Sequence, residues 1–205
     1  MHENHTTIDT RIAANLRALR ADRKLSLDAL AQATGVSRSA LSLIERGQNS
    51  PTAVVLDRIA VGLGVTLSEL VGQPGGAADA DAAASPLARQ AEQAVWTDPG
   101  SGYVRRALSP AGFATPIQLV EVHFPPGARV AFETGPRNTP VHQQVWVLDG
   151  AMELTVGVTT WKLHTGDCLA MVLDQPTVFF NPTDRTTRYA VVLASDTPTT
   201  NPRKL

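Results

Sequence analysis

The 205-residue sequence contains one cysteine, Cys168, and aromatic residues make up only 5% of it. A single thiol cannot form a disulfide within the chain, and it excludes zinc sites that are built from several cysteines. We expect Cys168 to be a small buried side chain, because the sequence places no base or cation beside it. The formal net charge of −1 argues against a surface that binds polyanions everywhere, but it allows a local basic face.

Long apolar runs are also missing. No uninterrupted apolar segment approaches the roughly 20 residues that a membrane span needs. The N-terminal segment has no apolar core followed by a small-residue cleavage site, so the sequence predicts no signal peptide. With so little cysteine, these features predict a protein of the cytoplasm that does not bind a membrane.

The hydrophobic pattern changes once along the chain, near Gly72. Before it, apolar residues recur at helical spacing, and Ser26 and Ser37 are placed to cap two helices with their hydroxyls. Glycines that fit just past helix ends occur at Gly35, Gly47 and Gly64. After Val95 the period becomes two, in short segments bounded by turn residues, which predicts a sandwich or barrel of antiparallel strands.

We therefore predict an α+β protein of two domains. Residues 1–73 form an all-α domain of about five helices, and residues 95–205 form an all-β domain. Residues 74–94 form a linker that begins in a Gly-, Ala-, Asp- and Pro-rich segment with too little large apolar surface to order itself. Ser85 and Pro86 could begin a short helix near its end.

The segment from Leu27 to Gly47 has the spacing of two short helices that are joined by a tight turn. Ala31 is small where the helices must approach, and Gly35 can adopt the positive φ of the turn. Four apolar residues are expected to form a small core behind the turn: Leu30, Val36, Leu41 and Ile44. This arrangement leaves a polar face of the second helix exposed, which is the geometry of a helix-turn-helix whose second helix enters the DNA major groove.

Residues 10–71 resemble the Xre-type, lambda-repressor-like DNA-binding family. The matching features are Ala31, Gly35, Glu45-Arg46-Gly47 and Pro51-Thr52. In this family a buried ion pair commonly joins the first helix to the end of the recognition helix, and Arg20 and Glu45 occupy those positions. The same residues 10–71 contain eight basic and five acidic side chains, a difference of +3 that favours contact with DNA.

The resemblance implies which residues contact DNA. Arg38 and Ser39 are predicted to contact bases, since arginine can donate two hydrogen bonds to guanine. Contacts to phosphates are predicted for residues near helix N-termini and for other polar side chains: Ser26, Gln32, Ser37 and Arg46. Ser42 and Leu43 complete the outer face. Leu43 stands where many relatives have a polar or basic residue, and it could touch a thymine methyl group or contribute nothing.

The second half resembles the cupin family over residues 100–195. The two cupin signatures are represented in order by Pro126-Gly127, Gly150, Gly166-Asp167 and Asn181-Pro182. The resemblance implies that the all-β domain is a jelly-roll barrel and that it mediates dimerisation.

Metal-binding cupins supply two histidines and a glutamate from the first signature and one histidine from the second. Here Gln143 stands in the place of the glutamate and Thr177 in the place of the last histidine. His142 lies beside Gln143, and adjacent side chains on a strand face opposite sides. An amide and a hydroxyl are poor ligands for first-row metals, so we predict no metal, no cofactor and no catalytic residues. A site rebuilt from Glu121 and His123 would be the exception.

Side chains two apart on a strand share one face, so an inward-facing Gln143 predicts which neighbours line the barrel. Apolar walls with a few hydrogen-bonding groups are typical of a small-molecule pocket. We predict seven ligand-binding residues: Glu121, His123, Gln143, Val145, Val147, Thr177 and Phe179.

The leading interpretation is a transcriptional regulator with a double-stranded DNA operator, in which a metal-free barrel forms a homodimer and senses a small metabolite. A dimer would match half-sites about one helical turn apart, and the effector would act through the linker. Three alternatives stay open. The barrel could be filled and serve only dimerisation, or the chain could be a scaffold that binds protein alone. The third is a metal-dependent cupin oxygenase or epoxidase, because hydroxypropylphosphonate epoxidases resemble this chain in length and domain order.

Overall fold

The computed structural model of the protein describes residues 3–72, 85–113, 115–133 and 140–195. In these ranges the first half contains the helices α1 (Glu3–Asp22), α2 (Leu27–Thr34), α3 (Arg38–Glu45), α4 (Ala53–Leu63) and α5 (Leu67–Val71). A short 3₁₀ helix, Gln90–Glu92, precedes the first strand, and all of the strands follow it. The predicted order of an all-α half and an all-β half is confirmed.

The helix ends follow the predicted capping residues. The hydroxyl of Ser26 accepts a hydrogen bond from the N–H of Ala29, and that of Ser37 accepts one from the N–H of Ala40. Gly35 ends α2 with a left-handed φ of 66° and so allows the tight turn into α3. The other two predicted glycines, Gly47 and Gly64, also have positive φ. Local chemistry therefore sets where these helices begin and end.

The buried apolar residues of the helical half belong to one core that continues into the barrel. The core residues predicted behind the turn are all buried: Leu30, Val36, Leu41 and Ile44. Helices α2 and α4 pack so closely that a Cβ added at Gly62 would lie 2.5 Å from Cγ2 of Thr34 and 3.1 Å from the carbonyl oxygen of Ala33. No side chain fits there, so Gly62 sets the distance between these helices.

The predicted ion pair joins α1 to the last residue of α3. Arg20 donates from Nε to Oε1 of Glu45 at 2.6 Å and from Nη2 to Oε2 at 3.0 Å, and its Nη1 donates to the carbonyl oxygen of Leu25. The Glu45 side chain is 7% exposed and that of Arg20 is 23% exposed. The hydrogen bond to Glu45 raises the pKa of Arg20. The pair therefore fixes α3, the predicted recognition helix, against α1.

The second half is built from ten strands within the described ranges: β1 (Val95–Thr97), β2 (Val104–Ala107), β3 (Ile117–Phe124), β4 (Arg129–Phe132), β5 (Val141–Asp149), β6 (Ala151–Val156), β7 (Thr159–His164), β8 (Cys168–Val172), β9 (Thr177–Phe180) and β10 (Thr187–Ser195). One sheet has the order β1-β2-β3-β10-β5-β8, and the other has the order β4-β9-β6-β7. Paired neighbours run antiparallel. Two such sheets that enclose an apolar core form the predicted jelly-roll barrel.

Strand β5 alternates strictly between the two faces of its sheet. Val141, Gln143, Val145 and Val147 are buried, whereas the side chains between them are half-buried or exposed. Strand β3 alternates in the same way, with Phe124 among its buried residues. The prediction that Gln143 and the two valines after it face inward is confirmed.

Two finer expectations are wrong. Cys168 is exposed, because it begins the edge strand β8 opposite Trp146 on the outer face of the sheet. Ser85 does not begin a helix, since its hydroxyl accepts a hydrogen bond from the N–H of Leu87 in a local turn. Residues 74–84 of the predicted linker lie outside the described residues. Within the described ranges, no helix is long and apolar enough to cross a membrane.

We expect Glu45→Gln to lower the free energy of unfolding by about 2–3 kcal/mol, less than the roughly 3–5 kcal/mol of a fully buried pair, because Arg20 still contacts water. Thermal unfolding of the full chain, followed by helical circular dichroism, measures this loss. Asp28→Asn is the control, since Asp28 pairs with Arg38 at 3.2 Å but both side chains are mostly exposed. Equal melting temperatures for the two variants would show that the buried pair contributes nothing.

Candidate nucleic-acid interface and barrel cavity

Helix α3 presents a polar face on the outside of the helical half. Arg38 and Ser39 begin the helix and are exposed, and Leu43 lies one turn further along with 37% of its surface exposed. The other predicted DNA-contacting residues that are exposed are Ser26, Gln32, Ser37 and Arg46. Ser42 is half-buried. The turn at Gly35 thus brings the N-terminal ends of α2 and α3 to one surface.

Two arginines on this surface are held in different ways. Nε of Arg38 lies 3.2 Å from Oδ1 of Asp28 in α2, and Nε of Arg46 donates to the carbonyl oxygen of Ser42 at 3.2 Å. Both side chains are exposed, so exchanging these contacts for DNA would cost little desolvation. The buried residues Leu41, Ile44 and Glu45 lie on the opposite side of α3.

The barrel contains a cavity near the start of β5. The centre of a water molecule can occupy about 70 Å³ of it, several times the roughly 10–15 Å³ that one ordered water needs. Val141 and Gln143 line it, and Thr177 and Phe179 face them from β9. A molecule of several heavy atoms therefore fits inside.

Aromatic rings form much of the cavity wall. Tyr103, Phe124 and Tyr189 are joined by edge-to-face contacts with ring centroids 6.1 Å apart. Phe179 stacks on Tyr189 at 6.0 Å and meets Phe132 edge-on at 5.8 Å. These contacts give a rigid apolar surface.

Several polar groups enter this apolar cavity with little or no bonding to protein. Among the described residues, the hydroxyls of Tyr103, Tyr189 and Thr177 form no hydrogen bond, and the amide of Gln143 has only a 3.9 Å contact from Nε2 to the sulfur of Met171. These four residues are at most 8% exposed. Burial raises the pKa of both tyrosines, so they remain neutral donors. Their polar atoms are absent from the fully buried, unpartnered atoms of the described residues, so they face the open space of the cavity, where water or a ligand can bind them.

The helical half closes the cavity on one side. Asp57 of α4, Thr66 and Leu67 lie among the lining residues. Side-chain hydrogen bonds join these helices to the barrel, among them those between Arg58 and Glu133, Thr66 and Gln118, and Arg105 and Ser68. The cavity is therefore shared between the two halves.

A buried carboxylate also joins the two halves. Asp98 is 3% exposed, and its Oδ1 accepts a hydrogen bond from the first N–H of α4, that of Ala53, at 2.8 Å. Its Oδ2 accepts hydrogen bonds from the N–H and the hydroxyl of Ser101. A carboxylate at a helix N-terminus is favoured by the free N–H groups and the helix dipole, so Asp98 anchors α4 to the barrel.

Four of the predicted ligand-binding residues lie outside the cavity. Glu121 and His123 face outward, because the alternation of β3 places Val122 and Phe124 inside. Oε1 of Glu121 lies 3.4 Å from Nη1 of Arg188 and 3.7 Å from Nε2 of His123 on the outer surface. The valines named with them, Val145 and Val147, are fully buried in the packed core. The cavity opens at the start of β5 and does not extend to them.

Sequence interpretation also missed cavity residues. Tyr103 and Arg105 come from β2 and its approach, which belong to neither cupin signature, and Tyr189 comes from β10. Asp57 and Leu67 come from the helical half. The period-two pattern of β10 predicts that Tyr189 faces inward. No pattern in the sequence predicts that α4 and α5 pack against the barrel.

Comparisons with known proteins agree with this organisation. The helix-turn-helix family model HTH_3 matches residues 16–70. The HTH-type transcriptional regulator SutR of Escherichia coli (strain K12) is 28% identical over 87% of this chain and 91% of its own length. A crystal structure of an HTH_3 family transcriptional regulator from Vibrio cholerae covers 93% of this chain and 98% of its own, with 27% identity and a TM-score of 0.70.

Residues 16–70 form a helix-turn-helix domain of the HTH_3 family, and the chain as a whole is a transcriptional regulator similar to these proteins. The hydroxypropylphosphonic acid epoxidase from S. wedmorenis covers 92% of this chain, but at 20% identity and a TM-score of 0.41. A likeness that distant supports no statement about activity.

The barrel of this regulator offers few side chains that could bind a metal ion. In the described parts of the chain, no three histidine, cysteine, aspartate or glutamate side chains are grouped so that they could hold a metal ion. The positions that would carry cupin ligands hold Gln143 and Thr177, and His142 is exposed on the other face of β5. The donor set of the barrel interior therefore does not fit a first-row metal.

We expect chelator treatment to leave the melting temperature of the purified regulator unchanged, and added Fe²⁺, Mn²⁺ or Zn²⁺ not to raise it. The reason is that tight binding needs several deprotonated donors that converge on one point. Elemental analysis of the purified protein provides the complementary measurement. One metal ion per chain, lost together with stability on chelation, would contradict this expectation and favour the enzyme alternative.

Proposed function

We propose that this regulator binds a specific operator in double-stranded DNA as a homodimer and that its barrel cavity senses a small metabolite. The observation that carries the DNA-binding part is the exposed, polar N-terminal end of α3, which the Arg20–Glu45 pair and the Gly35 turn hold outward. A cytoplasmic location gives it access to an operator.

The proposed contacts with DNA divide into two kinds. Arg38 and Ser39 contact bases, because they stand at the end of α3 that enters a major groove. Residues around them contact phosphates and set the orientation of the helix: Ser26, Gln32, Ser37, Ser42 and Arg46. Leu43 is exposed beside Ser42 and can touch a thymine methyl group.

The proposed dimer surface is the outer face of the six-stranded sheet. Trp146 and Ile117 are each 50% exposed on this face, and Leu119 is 36% exposed. The strand register places Val192 beside Leu119 and Ala194 beside Ile117 on the same face. A contiguous apolar face of this kind favours association, and a second copy related by a twofold axis would cover it with itself.

The proposed sensing function rests on the cavity. The cavity has space for several heavy atoms and walls of aromatic rings, and four polar side chains in it lack a full set of partners among the described residues. These features favour a ligand over a barrel that serves only as a dimerisation module. Because α4 and α5 close the cavity, an occupant could act on the helical half directly. An effector could therefore act on the helices through this direct contact as well as through the linker between the two halves.

Genomic selection of bound DNA, followed by titration of the recovered operator at fixed salt, tests the DNA-binding proposal. Arg38→Ala should weaken operator binding by about 1–3 kcal/mol and leave binding to random DNA nearly unchanged. Arg46→Ala should weaken operator and random DNA alike, since a phosphate contact carries no sequence information.

Arg129→Ala is the charge-matched control, because Arg129 is exposed on the barrel strand β4. It should bind operator like the parent protein. Failure of the parent to retain any genomic fragment would favour the protein-binding scaffold, and an Arg38→Ala variant with full operator affinity would remove Arg38 from the base contacts.

The dimer is tested by charge insertion on the sheet. Trp146→Glu should shift the protein from dimer to monomer in sedimentation velocity, because a desolvated carboxylate is costly in an apolar interface. Trp161→Glu is the matched control, since Trp161 is 48% exposed on β7 of the other sheet, and it should stay dimeric. A monomeric parent, or a dimeric Trp146→Glu variant, would contradict the assignment of this face.

A further inference from the structure

Arg105, on strand β2, is the one cation among the described residues that line the cavity. Its Nη2 donates a hydrogen bond to the hydroxyl of Ser68 in α5 at 2.7 Å. Among the described residues, no carboxylate lies within ion-pair distance of Arg105, although the charge of Asp57 on the same cavity attracts it more weakly. Burial lowers the pKa of Arg105, but a guanidinium stays protonated in proteins. The cavity thus holds a positive charge with spare donors.

Hydrogen-bond donors surround this charge. Tyr103 and Tyr189 line the same cavity as Arg105. Among the described residues, neither tyrosine hydroxyl has a hydrogen-bond partner and nor does that of Thr177, and all three residues are at most 4% exposed. An ionised acid group accepts several such hydrogen bonds at once, and charge-assisted bonds of this kind are the stronger ones.

Apolar side chains provide much of the remaining wall, although Asp57, Thr66 and Gln143 also line it. The apolar residues include Phe124, Val130, Phe132 and Phe179. A ligand that fits both regions has an acid group and a compact hydrocarbon body. A bare inorganic anion would leave the aromatic wall unfilled, and an uncharged organic molecule would leave the cation unpaired.

The contact between Arg105 and Ser68 also leads into the helical half. Ser68 belongs to α5, and α5 is bonded to α1 because Nδ2 of Asn15 donates to the carbonyl oxygen of Leu70 at 2.9 Å. An acid group that binds the spare donors of Arg105 would draw the guanidinium toward itself and away from the Ser68 hydroxyl. Its arrival would therefore weaken one of the hydrogen bonds that hold α5 on the barrel.

We propose that the effector is a small organic acid whose acid group binds Arg105, and that the Arg105–Ser68 hydrogen bond transmits its binding to α5. This inference rests on the proposed sensing function of the cavity. It adds the chemical class of the effector and the contact that couples it to the DNA-binding half.

The test uses matched pairs of acids and amides as probes: benzoate with benzamide, and 4-methylpentanoate with 4-methylpentanamide. Each pair has nearly the same shape and differs in charge. Thermal unfolding and calorimetric titration of the full-length dimer should show binding of an acid with at least about tenfold preference over its amide, since hydrogen bonds to a charged group are worth that much or more.

Arg105→Gln should abolish the preference for the acid. Arg106→Gln is the matched control, because Arg106 is the next residue on β2 and its Nε faces Glu121 at 3.9 Å on the outside; this variant should keep the preference. Arg105→Lys covers the case in which the glutamine variant does not fold, since it keeps the charge and should keep a reduced preference. Ser68→Ala should bind the acids but lose their effect on operator affinity.

The outcomes separate this inference from the sensing function. Binding of acids and amides with equal affinity, or acid binding that survives in Arg105→Gln, would overturn the role of Arg105 and leave a sensing cavity in place. If no acid binds, the organic-acid class is wrong. An acid effect on operator affinity that persists in Ser68→Ala would overturn the coupling contact. Operator binding by the free protein is measured separately, and its failure would bear on the proposed DNA-binding function alone.

Discussion

The carboxylate of Asp98 makes the contact on which the relation between the two halves of this regulator depends. It is buried, and it satisfies the first N–H of α4 from the barrel side. Because a buried carboxylate is costly unless it is fully bonded, this contact strongly restricts where α4 can lie. With α4 in place, α5 follows, and both helices close the cavity that the barrel alone would leave open.

The same requirement, that buried polar groups find partners, explains how the two functional regions differ. In the helical half the buried Glu45 is fully paired with Arg20, and the result is a rigid support that carries an exposed polar face. In the barrel, Gln143 and Thr177 are buried residues with almost no hydrogen-bond partners among the residues that the structure describes. A satisfied buried pair stabilises, whereas unsatisfied groups around a cavity create an affinity for something that can satisfy them.

The barrel also shows how a metal site and an organic-ligand site can use the same positions. Inward-facing positions of β5 and β9 would point metal ligands at one centre, and here the same geometry points an amide and a hydroxyl into an aromatic cavity. The charge in the cavity comes from Arg105 on β2, a different strand. A change of residue type at a few inward positions is therefore enough to change the chemistry that the barrel favours.

Local physics determined much of this protein from its sequence alone. Helix caps at Ser26 and Ser37, the positive φ of Gly35 and the alternation along β5 depend on residues close in the chain, so their outcomes were predictable. The inward direction of Gln143 and Thr177 followed from the same alternation. The predictions for Cys168 and Ser85 were wrong. Cys168 is exposed because it lies on an edge strand, and Ser85 forms a local turn instead of beginning a helix.

Only the tertiary structure decided what surrounds the cavity. Because side chains alternate along β3, the sequence predicts that Glu121 and His123 lie on the same face of the strand. Which face points into the core depends on the packing of β3 between β10 and β2. Arg105 and Ser68 are 37 positions apart in the sequence, and no local pattern brings them together. Their contact exists because burial of Asp98 and the apolar faces of the helices bring α4 and α5 onto the barrel, which is a property of long-range packing and not of any segment.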